Sequence, residues 1–163
     1  LNVDTAVLGK SNCTAEAIAR AFSLFADRRC IGWRGHDSKG ALEEAYTWLS
    51  YKEVGDAAMA AGMGLHALTN THGAFVAVLG AISLPWLLAD YGCILKGVPV
   101  VLMNRATSDD QLWRLLDKAG VKVLVASRHL RQTVLSALRK SHDGSCHHVV
   151  WIDDHPDAYA MQV

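Results

Sequence analysis

Apolar positions recur along the chain at two spacings, one suited to helices and one to buried strands. From Thr14, which stands at a capping position, Ala17, Ile18, Ala21, Phe22, Leu24 and Phe25 repeat at helical intervals and predict an amphipathic helix as far as Arg28 or Arg29. Two short β-type pieces follow, at 30–34 and 46–48, with the polar, glycine-bearing stretch 35–45 between them. They read as a hairpin or as two edge strands. Ser50 with Glu53 three residues on is a capping box, and Val54, Ala57, Ala58, Ala61, Leu65 and Leu68 continue one apolar face. A helix over 51–68 is expected there.

Beyond it the pattern becomes a regular alternation. A β-type run at 75–79, a helical run at 84–95, Gly97 and a second β-type run at 98–103 spell strand, helix, strand. Ser108 then caps a helix through Leu112, Leu115, Leu116 and Ala119, Gly120 ends it, and 121–126 is a continuous apolar strand. A last helix at 130–139 leads to a strand at 148–152. Continuous apolar strands alternating with helices of ten to fifteen residues imply a parallel sheet covered on both faces. The expected fold class is therefore α/β, a doubly wound, mostly parallel sheet with helices on both faces and right-handed crossovers. No internal repeat or low-complexity tract divides the chain, so 1–163 reads as one domain or part of one.

Composition narrows the classes of function. Of 163 residues 51% are apolar, enough to build a core and to exclude intrinsic disorder. Sixteen Lys and Arg balance sixteen Asp and Glu, which leaves no basic field to concentrate nucleic acid. Cys13, Cys30, Cys93 and Cys146 lie far apart without C-x-x-C spacing, the usage of a reducing, intracellular protein. The longest apolar stretch, 74–103, is broken by Pro85, Asp90, Lys96 and several glycines, so no membrane span is expected. The first residue is Leu1, without a leader pattern, and the polar tail 153–163 brings no closing element; both ends read as cuts within a longer chain.

Candidate chemistry is sparse. His142, Cys146, His147, His148, Asp153, Asp154 and His155 form a cluster rich in ligand types. His147 and His148 adjoin at a strand start, where successive side chains diverge, so a solvated loop is expected rather than a zinc site. Gly62-Met63-Gly64 falls inside a helical pattern and reads as small residues permitting close packing, not as a dinucleotide loop. Trp86, Trp113 and Trp151 are expected in core packing. Asp90 interrupts an apolar helix and is expected to be paired or on the solvent side. No G-x-x-x-x-G-K-[ST], G-x-S-x-G or H-E-x-x-H occurs.

The order of segments carries more than any single residue. Cys30-Ile31-Gly32-Trp33-Arg34, then Tyr46-Thr47-Trp48-Leu49-Ser50-Tyr51-Lys52-Glu53-Val54, resembles the start of the adenylate-forming (AMP-binding) ligases, closest to long-chain acyl-CoA synthetases. Leu49 to Val54 matches the first core motif of that superfamily. Trp86-Leu87-Leu88-Ala89-Asp90-Tyr91-Gly92-Cys93 is similar to its Glu-Trp-x-x-x-(Asp/Glu)-x-(Ala/Gly)-Cys segment, and Leu95-Lys96-Gly97-Val98 falls where the second core motif belongs. The likeness is strongest over 30–126. It departs at Ile82-Ser83-Leu84-Pro85, where the family usually has Asn-Arg-Pro, at Val101-Leu102-Met103-Asn104 in place of Val-Pro-Leu-Tyr, and at Ala74 in place of an Asp.

The resemblance implies that 1–163 is the N-terminal part of a larger AMP-binding domain. In the complete enzyme a fatty acid carboxylate would attack the ATP α-phosphate with Mg²⁺ present, and CoA would then take the acyl group from the adenylate. The family's phosphate loop, adenine-binding segment, ribose-binding Asp and catalytic Lys all lie C-terminal to this region. No catalytic, cofactor-binding or metal-binding residue is therefore assigned, and the chain alone is expected to be inactive and to bind no cofactor. The family also implies a cytoplasmic site or the cytosolic face of an organelle membrane. A rival reading is a stand-alone α/β binding or interaction module derived from such a ligase. Either way, a parallel sheet ending at 148–152 exposes an edge, and self-association is expected.

Overall fold

The computed structural model describes residues 11–69, 73–141, 144 and 146–152. Its first helix, α1 (Thr14–Leu24), is shorter than its pattern suggests. Cys13, not Thr14, is the N-cap, and the helix stops before Phe25, freeing that ring to pack edge-on against Tyr51 at 5.7 Å. Phe22 reaches Tyr51 and Tyr91 at 6.4 and 6.1 Å, so α1 docks through aromatic side chains.

The two β pieces are longer than expected and pair antiparallel as a hairpin, β1 (Arg29–His36) and β2 (Leu42–Ser50). Its polar connection is a turn built by Asp37, whose Oδ1 accepts from the amides of Lys39 (2.8 Å) and Ala41 (2.9 Å). Gly32 lies opposite Trp48, and a Cβ there would meet the indole at 2.8 Å, so the bare glycine is what lets the ring lie across β1. Arg34 donates through Nε to the Glu43 carbonyl. The Cys-x-Gly-x-Arg spacing thus has a structural reason in the hairpin.

Strand β2 passes without a loop into α2 (Tyr51–Thr69). The capping box makes this junction: the Ser50 amide donates to Glu53 Oε2 (2.8 Å) and the Glu53 amide to Ser50 Oγ (3.2 Å). Such a cap is worth about 1 kcal/mol, and the amide bond from Ser50 also lowers the Glu53 pKa.

Four strands then form a parallel sheet: β3 (Phe75–Gly80), β4 (Val100–Asn104), β5 (Val121–Ser127) and β6 (His148–Ile152), in spatial order β4-β3-β5-β6. Between them run α3 (Leu84–Lys96), α4 (Asp109–Ala119), a 3₁₀ turn at Arg128–Leu130 and α5 (Arg131–Lys140). The strand pattern at 98–103 begins two residues early: Val98 donates to the Cys93 carbonyl as part of the α3 cap, and pairing starts at Val100 after Pro99. Gly97 and Gly120 end α3 and α4 at φ 66° and 63°, the left-handed conformation that favours glycine.

The faces sort by strand alternation. Ala77, Leu79, Leu124 and Ala126 pack under α4 and α5, with Leu112, Leu116, Val134 and Ala137. Val76, Val78, Val123 and Val125 pack under α2 and α3, with Leu65, Trp86, Ala89 and Cys93. This is the doubly wound arrangement. On the first face α4 and α5 are clasped by Lys140, which reaches Asp109 and Asp110 at 2.9 Å each.

Candidate functional site

Helices α2 and α3 cross at two glycines. A Cβ on Gly62 would meet the Gly92 carbonyl oxygen at 2.3 Å, and one on Gly92 would meet the Ala58 oxygen and Gly62 nitrogen at 2.6 Å. Gly62 therefore packs closely, as its pattern suggested, whereas Met63 is exposed and a Cβ on Gly64 meets nothing within 4 Å. The partner, Gly92, sits in the apolar run Tyr91-Gly92-Cys93, and a glycine inside an apolar helix was the available signal for it.

Beyond this crossing the helices part, and an open apolar groove of about 540 Å³ lies between them and the sheet. Helix α2 supplies Ala60, Ala61, Gly64, Leu65 and Leu68 to its wall, α3 supplies Pro85, Leu88 and Ala89. The floor is Val125 of β5 with Val150 and Ile152 of β6. The sequence pattern placed these residues on apolar faces but gave no sign that α2 and α3 would leave β6 uncovered. Every lining residue is apolar, so the groove offers no donor to a triphosphate, no ligand to Mg²⁺ and no acid, base or nucleophile.

The other candidates disperse. His147 and His148 are exposed, and Cys146 is half-buried with its thiol donating to the His148 carbonyl at 3.5 Å; burial raises its pKa. His142, Asp153, Asp154 and His155 lie outside the described residues. Among the described residues no three His, Cys, Asp or Glu side chains are grouped to hold a metal ion. Trp86 is in the core, with Trp113 and Trp151 packed partly buried on the opposite face. Asp90 is half-buried on α3 and desolvation raises its pKa, while no ion pair reaches it among the described residues. Its placement is therefore neither paired nor fully on the solvent side. Cys93 is fully buried and its thiol is pushed up to about 12, chiefly by desolvation, so it is a core residue and no nucleophile. No helix among the described residues is long and apolar enough to cross a membrane.

A parallel sheet with two helices on each face, entered through a hairpin that feeds its first covering helix, defines a doubly wound α/β unit. The profile of the AMP-binding enzyme family matches residues 27–162. The chain belongs to that family. Over 96 residues it is 28% identical to palmitoyl-CoA ligase FUM16 of Gibberella moniliformis and 25% identical to long-chain-fatty-acid–CoA ligase 2 of Schizosaccharomyces pombe. Each alignment takes in 59% of this chain and 14% of the relative. The crystal structure of the adenylation domain of a carboxylate reductase from Mycobacterium chelonae superposes with a TM-score of 0.77 at 26% identity, over 95% of this chain and 26% of that one. The chain thus spans a small part of the length of the proteins it matches.

Proposed function

We propose that residues 1–163 are the N-terminal portion of a long-chain fatty acid–CoA ligase, a partial AMP-binding domain that serves as scaffold and does not catalyse by itself. The observation that carries this reading is the family match over 27–162, with palmitoyl- and long-chain-fatty-acid–CoA ligases among the relatives. The complete enzyme would use ATP to convert a fatty acid carboxylate to an acyl-adenylate and pass the acyl group to CoA. This chain's own contribution is the sheet, the hairpin and the helices that fix where the remaining segments sit.

Catalysis at phosphate rests on positioning and on stabilising developing charge. A single well-placed donor is worth about 3–4 kcal/mol in such chemistry, and the described residues offer no assembled set of donors. Labelled pyrophosphate exchange into ATP, dependent on palmitate, tests the proposal. The chain alone should give no exchange above a protein-free blank, and exchange should appear when the C-terminal remainder of a related ligase is added. Exchange by the chain alone would refute the scaffold reading; activation by short aromatic acids but not by palmitate would refute the long-chain one.

A further inference from the structure

We draw no further inference here: the strongest candidate, the apolar groove between α2, α3 and β6 together with the exposed face of α2 beside it, carries nothing because no feature of the structure shows what covers it.

Discussion

Replacing Gly62 by Ala should be among the most damaging single-methyl changes available in this chain. Ordinarily Gly→Ala within a helix stabilises it, by about 1 kcal/mol, because alanine has less backbone freedom to lose. At Gly62 the added carbon would stand 2.3 Å from the Gly92 oxygen, 2.7 Å from its carbonyl carbon and 2.8 Å from Lys96 Cγ. The lysine stem can swing aside; the Gly92 backbone is locked in α3. Relief therefore requires α2 and α3 to separate by roughly the difference from an ordinary contact near 3.5–4 Å, about 1 Å or more.

Separation loosens Leu65 and Ala89 from the valines beneath them. Overpacking of a rigid contact costs typically ~1–3 kcal/mol. Against rigid backbone the upper end applies, so after the propensity gain a net loss of about 1–2 kcal/mol is expected, a five- to thirty-fold shift toward the unfolded state. Gly64→Ala on the same helix is the control, since its Cβ meets nothing within 4 Å. It should stabilise by about 0.5–1 kcal/mol. Urea unfolding followed by circular dichroism at 222 nm reads both, at a concentration held equal for each variant. Adding Gly92→Ala to Gly62→Ala should cost less than the sum of the two, because helices already parted accept the second methyl more easily. Equal midpoints for Gly62→Ala and Gly64→Ala would refute the close crossing.

Asp109 accepts from Lys140 and Ser136, whose hydrogen bonds, that of Lys140 foremost, hold its carboxyl at about 2, below the ordinary 3.8. Its stabilising effect is complete above the ordinary value and is lost as pH falls through the range from there toward about 2; Asp109→Asn should lower the thermal midpoint near neutrality and flatten its fall across that window. Native protein treated with a chromogenic thiol reagent should release signal first from exposed Cys13, with Cys93 reacting only on unfolding; rapid labelling of Cys93 would contradict its place in the core. Purified chain should carry no stoichiometric zinc, and elemental analysis finding one zinc per chain, lost on replacing Cys146 and His148 together, would reverse the reading of the histidine-rich segment.

The strongest local signals were the ones with two coupled parts. Ser50 with Glu53 is a reciprocal pair only at a helix start, and both of its hydrogen bonds are present. The run at 75–79 carries no charge and that at 121–126 only Lys122 among its apolar residues, and both lie at the centre of the sheet. Weaker signals failed at boundaries, where tertiary contacts decide. Phe25 looked helical by spacing but is drawn to the Tyr51 ring, and the hairpin ran past its apolar pieces because Asp37 and Gly40 make a tight turn from residues that read only as polar. The groove was invisible for a related reason. It is a gap between elements, set by the angle at which the Gly62–Gly92 contact lets α2 and α3 cross, and periodicity within one helix contains no such angle.

The same geometry marks where a ligand site of this fold would lie. In an open α/β sheet, ligands bind beyond the carboxyl ends of the strands, where successive connections leave for opposite faces. Here that point lies between β3 and β5, neighbours whose following helices, α3 and α5, take opposite faces. Ser83 and Ser127 stand there fully buried, but both act on the fold itself: Ser83 Oγ accepts from the Trp86 amide to cap α3, and Ser127 Oγ donates to the Leu79 carbonyl. With Thr69 they are the buried polar side chains among the described residues, and no charged side chain is buried with them. A carboxylate or ammonium tuned for catalysis needs partial burial beside a partner, and half-buried Asp90 has no such partner among the described residues. At this sheet end the two buried hydroxyls are thus engaged by the frame itself, one in the cap of α3 and the other across to the β3 carbonyl.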